Sequence, residues 1–343
     1  MHNLSLQRFI KELPKVELHL HLEGAIRPET ALNLMRRNRS APLPENSEQV
    51  RALYRFEDLS QFVLAMRAVS NHIRSLEDLQ NITQEMLSDL IAQHTFYVEF
   101  DCALQKYIDL GYPLVEILEA LHATTQAFRE QIHARLIVNL QRSHGSDKTA
   151  ALVEEVARLN HPLVAGIGLS GDESRFPQKW FVRAFAVARE AGLKRTVHAG
   201  EVLGPESIRE ALDLLHAQRI DHGTQAHKDA HLLERLKAEG IPLTQCISSN
   251  VRLHIVDRIE DHPFVDYLRG GLVTALHTDD PQVFGISLTS EYELAATTFD
   301  LSREEIVQIL LNGIQGSFMP DRIRHSLIGQ FKALYADQHT LSA

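Results

Sequence analysis

Apolar and polar positions alternate in blocks along the chain. Eight short apolar runs end in polar or charged residues: 15–21 (KVELHLH), 95–102 (TFYVEFDC), 134–142 (ARLIVNLQR), 164–171 (VAGIGLSG), 194–201 (KRTVHAGE), 219–223 (RIDHG), 242–250 (PLTQCISSN) and 272–280 (LVTALHTDD). Length and composition predict strands for all eight. Between them, 113–131, 147–159, 206–217 and 227–240 carry apolar residues at the i, i+3, i+4, i+7 spacing of one helix face. Asp147 is the predicted N-cap of the second helix, and Gly240 closes the last one. Strands alternating with helices predict an α/β fold, a TIM-type (β/α)8 barrel of parallel strands. In that fold the C-terminal strand ends form one rim that carries the active site, and the polar endings of all eight runs fall there.

The interval 22–94 is too long for one crossover. Residues 29–38 (ETALNLMRRN) predict the crossover helix, and 56–73 read as a further amphipathic helix. The insertion at 45–75 is expected to add helices capping the C-terminal rim. Residues 302–338 are predicted helical and should cover the barrel's outside. No internal repeat or low-complexity stretch divides the chain, so 1–343 reads as one barrel domain.

Composition narrows the partners. With 35 Lys+Arg against 45 Asp+Glu the net charge is −10, which argues against nucleic acid or an anionic membrane. The opening MHNLSLQRFIKELPK lacks the apolar core of a secretory signal. No apolar run approaches the roughly 20 residues that span a bilayer. A cytoplasmic location is therefore expected. Cys102 and Cys246 lie far apart in apolar runs and read as buried free thiols. Nineteen histidines direct attention to metal.

In a strand, residues i and i+2 point to one side, so His19 and His21 both face the barrel axis. His198 brings a third imidazole to the same rim, and Gly200 lets the chain turn so that Glu201 can swing inward. Asp279 arrives on the eighth strand, beside the first in a closed barrel. Three imidazole nitrogens and one carboxylate oxygen suit a borderline divalent cation such as zinc, one per chain, with a position left for water. Its neighbour Asp280 is then free to hold substrate. His222 is a fourth rim imidazole, a candidate to orient or deprotonate water activated by the ion.

Taken together, LPKVELHLHLEGAIRPET, LSGDE, TVHAGE, RIDHG, SSN and TDDP resemble the adenosine deaminase family of metal-dependent amidohydrolases, in order and spacing, from residue 12 to about 320. The resemblance implies zinc-dependent hydrolytic deamination at carbon 6 of a 6-aminopurine, in purine salvage. It implies His19, His21, His198 and Asp279 as zinc ligands, and Glu201, His222 and Asp279 as catalytic residues. Glu201 would protonate ring nitrogen N1, and His222 would position and help deprotonate the water. Candidate substrate-binding residues are His21, Glu23, Gly171 (backbone N–H to N3) and Asp280 (to N7). The cysteine signature of the cytidine-type zinc deaminases is absent.

Three departures bear on which aminopurine is used. Glu23 stands where adenosine deaminases commonly place an Asp that meets the ribose 5′-hydroxyl. Asp221 stands in IDHG where IGHG is commoner. Both features resemble the branch acting on free adenine, whereas LSGDE resembles the nucleoside branch, and His277 replaces a more frequent Asn. The expectation from sequence is a nucleoside, adenosine or 2′-deoxyadenosine. Free adenine, or a 5′-modified adenosine such as an aminofutalosine, is the alternative, and a catalytically silent zinc-binding homologue is the reading from another class. Met35, Phe62 and Met66 read as core that could border the ribose end.

Overall fold

In a computed structural model of the protein, residues 2–38, 44–56 and 59–340 are described. The strands are β1 (Lys15–His21), β2 (Thr95–Cys102), β3 (His133–Gln141), β4 (Val164–Ser170), β5 (Lys194–Ala199), β6 (Arg219–His222), β7 (Leu243–Gln245) and β8 (Thr274–Leu276). They pair in parallel in the order β1 to β8. The ring closes at the rim, where His21 N–H donates to Asp279 O (2.9 Å) and Asp279 N–H to His19 O (2.8 Å). The predicted TIM barrel is therefore the observed architecture.

Strand alternation decides what lies inside. On β1, Val16, Leu18 and Leu20 pack outward into the helical layer, while Glu17, His19 and His21 face the sites they serve inside. Below the rim the interior is charged. Arg219 of β6 donates from Nη1 to Glu99 Oε2 of β2 (2.6 Å) and from Nη2 to Leu18 O (3.3 Å). His277 Nδ1 lies 3.0 Å from Glu17 Oε1, and the Thr278 hydroxyl donates to Glu17 Oε2 (2.8 Å). Buried ion pairs add little net stability against an apolar filling, but breaking one costs about 3–5 kcal/mol. This layer thus fixes the strand ends above it. His277, noted in the sequence as a departure, is one of its members rather than a group facing a ligand.

Three local expectations are corrected. The helix predicted from Asp147 runs Gly145–Leu159 with His144 at the N-cap, so Asp147 lies inside the first turn, where its charge still favours the N-terminal end of the dipole. The run 242–250 is strand only to Gln245, and Ile247–Arg252 is helical. Its apolar residues are buried in either state, so periodicity over so short a run could not separate them. The helix that packs beside β2 is Leu76–Ile91, opened by a capping box between Ser75 and Asp78; the sequence reading had assigned the crossover to 29–38. The latter stretch does form a helix, Pro28–Arg37.

Within 45–75 the helices are Ser47–Leu53 and Leu59–Ser70. Phe56 and Phe62 pack against Phe284, just past β8; the Phe62 and Phe284 rings are stacked with centroids 5.7 Å apart. Arg252, past β7, reaches Tyr54 O (3.5 Å). The tail forms the helices Arg303–Gly316 and Asp321–Thr340. Among the described residues no helix is long and apolar enough to cross a membrane. Both cysteines are buried and free.

Candidate active site

The rim gathers the residues that the sequence singled out. His19, His198 and His222 bring ring nitrogens within 4.8 Å of one another, and all three are buried. Their ring centroids lie 4.6–5.0 Å apart. His21 joins through Asp279, whose Oδ1 is 3.3 Å from His21 Nε2 and 3.5 Å from His19 Nε2. His222 Nε2 lies 3.7 Å from Glu201 Oε1 and 4.0 Å from Asp279 Oδ2.

Backbone conformation aims several of these groups. Gly171, Gly200, His222 and Asp279, at the ends of β4, β5, β6 and β8, all have positive φ. Glycine takes this conformation freely, but for His222 (64°) and Asp279 (61°) it costs about 1–2 kcal/mol each. Such strain persists only where surrounding contacts enforce it, and it concentrates at functional sites.

A second layer sets the ring orientations. His19 Nδ1 is 2.9 Å from Thr244 Oγ1, and that hydroxyl donates to Asp221 Oδ1 (2.9 Å). Because the hydroxyl proton is directed at the carboxylate, His19 donates from Nδ1 and keeps its lone pair on Nε2. That nitrogen is buried and has no hydrogen-bond partner. An orphaned imidazole nitrogen facing a carboxylate and other imidazoles is the donor set of a divalent metal. His21 Nδ1 lies 3.3 Å from the Asn139 side chain, which accepts from Ser170 Oγ (2.7 Å). The Ser170 hydroxyl can serve either amide end, so Asn139 can turn over to accept from His21 Nδ1–H and free its Nε2. Ser249 Oγ donates to Asp279 Oδ2 (2.7 Å).

Electrostatics separates the carboxylates by role. Burial works against an ionised Asp279, but the facing His19 and His21 side chains outweigh it and hold Asp279 well below the usual carboxylate range. Burial first, then repulsion from Asp279 and Glu173, pushes Glu201 well above its ordinary value. Burial and Asp279 do the same to Asp280, whose Oδ1 is buried without a partner. Burial drives His222 down to about 3 and keeps it neutral. The site thus favours the anionic form of Asp279 and the protonated, donating form of Glu201 and Asp280. Cys246 groups with His19 and Asp279, but burial keeps its thiol protonated.

Glu23 lies just past the end of β1, with one carboxylate oxygen tied to the end of β2. Its Oε1 accepts from Ala103 N–H (3.1 Å) and from Cys102 Sγ (3.8 Å) at the end of β2. Gly24 follows it so closely against Asp280 that a Cβ there would collide with the Asp280 carboxyl.

Among the residues that escaped the sequence reading, two carboxylates stand out. Glu173, quoted in LSGDE but given no role, accepts from Gly200 N–H (3.1 Å), Glu201 N–H (3.0 Å), Val202 N–H (3.0 Å) and the Ser207 hydroxyl. It clamps the turn that presents Glu201. Asp101, on β2 beside His21 in register, is pushed up to about 7 chiefly by burial. Its position at a strand end with an inward i, i+2 partner, Glu99, was the available signal.

A closed parallel barrel with imidazoles and an aspartate gathered at its C-terminal rim defines a metal-dependent amidohydrolase. Within that class the chain belongs to the adenosine deaminase family, whose model matches residues 14–333. It is similar to an adenine deaminase of Rhizobium rhizogenes, 33% identical and covering 93% of this chain and 98% of that protein. It is also similar to an adenosine deaminase of Clostridium kluyveri, 30% identical with 92% of each chain covered. Among solved structures, adenine deaminase from Arthrobacter aurescens aligns with a TM-score of 0.90 at 32% identity, over 94% of this chain and 99% of that one. An amidohydrolase from Burkhoderia ambifaria with bound Zn aligns with a TM-score of 0.88 at 28% identity, over 97% and 94%. The protein is thus a hydrolase that deaminates aminopurines.

Proposed function

We propose that the chain hydrolyses free adenine to hypoxanthine and ammonia, in preference to the adenosine expected from sequence, with zinc held by His19, His21, His198 and Asp279. The observation that carries the choice of base over nucleoside is Glu23. One oxygen of its carboxylate, Oε1, accepts from Ala103 N–H at the end of β2 (3.1 Å), which supports a side chain drawn away from a ribose hydroxyl. Relatives named adenine deaminase, from Rhizobium rhizogenes and Arthrobacter aurescens, agree with that reading.

The ion, when bound, supplies Lewis acidity that makes a water nucleophilic at neutral pH. The remaining work falls to the chain's own residues. Attack of the water oxygen on C6 pushes electron density onto N1, and protonated Glu201 gives its proton there. Proton donation of this kind contributes roughly 10²–10⁴-fold. Glu201, left as a carboxylate, then takes the two protons of the attacking water in turn. One passes to the amine, so that the C6–N bond breaks and ammonia leaves. The other restores the Glu201 carboxyl as C6 becomes the carbonyl of hypoxanthine. Asp280, protonated and with an unpartnered oxygen, donates to N7, and the Gly171 backbone N–H meets N3. Together these bonds hold the ring in the plane that Glu201 requires.

Steady-state ammonia release from adenine, adenosine, 2′-deoxyadenosine and a 5′-modified adenosine tests this choice. Adenine should give the highest kcat/KM. A higher value for any nucleoside would return Glu23 to the ribose role, and no release from any of the four would leave the silent homologue.

A further inference from the structure

A chain of buried hydrogen bonds runs from the backbone into the site through two side chains to which no role has yet been given. Phe264 N–H donates to His262 Nδ1 (3.2 Å), and His262 Nε2 lies 3.0 Å from Asn250 Oδ1. Thr224 Oγ1 also donates to Asn250 Oδ1 (2.8 Å), and Asn250 Nδ2 lies 3.2 Å from His222 Nδ1. His262, Asn250, Thr224 and His222 are all at most 2% exposed, so water does not share these bonds.

The direction of every proton in this chain is forced. A backbone N–H can only donate, so His262 Nδ1 is the lone-pair nitrogen. Neutral His262 then carries its proton on Nε2 and gives it to Asn250 Oδ1. With Thr224 donating to the same oxygen, both of its lone pairs are used. Turning the amide over would set its NH2 group against His262 Nε2–H, donor against donor. Asn139, anchored only by a hydroxyl, has no such constraint. Asn250 must therefore present its NH2 to His222 Nδ1, which leaves the single proton of neutral His222 on Nε2. That nitrogen is the one facing Glu201 and Asp279.

We propose that Asn250 and His262 are positioning residues that lock His222 in its Nε2–H form, so that His222 orients the attacking water as a hydrogen-bond donor and does not deprotonate it. The role rests on His222 bordering the reacting centre, as in the proposed function. The substrate's identity does not enter it. An isosteric carboxylate–amide exchange behind the histidine of a serine-protease triad, which also puts the ring in the wrong tautomer, lowers kcat about 10⁴-fold.

Nitrogen NMR of the zinc-loaded, substrate-free protein, with ring-labelled histidine and His222 assigned by H222Q, tests the proposal. The expected spectrum shows His222 protonated on Nε2 and bare on Nδ1. Asn250→Asp keeps the shape but can only accept, so the proton should move to Nδ1. Turnover should then fall on the order of 10²–10⁴-fold with KM and zinc content little changed. Wild-type His222 protonated on Nδ1 would overturn the proposal even if N250D does not fold. N250D with reduced turnover and the proton still on Nε2 would also overturn it, since Asn250 would then be only structural. Because the tautomer is read without substrate, either result leaves the choice between adenine and adenosine untouched.

Discussion

Replacing Glu173 with Ala should damage both stability and turnover, although Glu173 itself meets no substrate. Its carboxylate accepts from three successive backbone N–H groups, at Gly200, Glu201 and Val202, and from the Ser207 hydroxyl. Gly200 and Glu201 are buried, while Val202 is exposed and can turn to water. Leaving a buried donor unsatisfied costs about 1–3 kcal/mol, so two of them imply a loss of roughly 2–6 kcal/mol. That is a large part of the 5–15 kcal/mol typical of a folded domain. The same turn aims Glu201, so kcat should fall with it, because misplacement by about 1 Å can cost on the order of 10²-fold. Denaturant unfolding gives the first quantity and single-turnover deamination the second. Glu173→Gln is the finer probe. It keeps a carbonyl acceptor but removes a charge that raises Glu201. Activity requires protonated Glu201 and is lost as pH rises through its raised pKa, so the alkaline limb of the rate profile should move to lower pH. An unfolding midpoint and kcat both unchanged in Glu173→Ala would refute the clamp, and an unmoved alkaline limb in Glu173→Gln would refute the electrostatic coupling.

Other outcomes follow from the same contacts. Glu201→Gln should keep zinc and purine binding, measured by calorimetry, while turnover falls roughly 10²–10⁴-fold; wild-type turnover would remove Glu201 as the acid. Asp280→Ala should raise KM with zinc retained, and loss of metal instead would exchange the roles of the two aspartates. Asp221→Asn breaks the line from Asp221 through Thr244 to His19, so zinc affinity should weaken about 10–100-fold in a chelator competition.

Much of this site was visible in the sequence because strand geometry is so regular. His19 and His21 share a face by their spacing alone, and His198 and Asp279 each stand at the end of an apolar run. Barrel closure then needs only the parallel order. The missed contributions depend on pairs distant in sequence. Glu173 reaches a turn 27–29 residues away, and His262 acts on His222 through Asn250. No periodicity encodes such pairs. Glu23 has the same limit, since its residue type permits a ribose contact while its hydrogen bond from Ala103 N–H, 80 residues away, depends on tertiary placement. The helix within 242–250 was misread because burial on all sides erases the difference between the two periods.

The most direct measurement is a titration of chelator-treated protein with zinc, following bound metal and ammonia release together. Deamination should rise linearly and level off at one ion per chain, and Asp279→Ala should neither hold the ion nor turn over adenine. Full turnover in the chelated protein, or an Asp279→Ala variant that binds zinc as tightly as wild type, would contradict the convergence of these side chains on one ion.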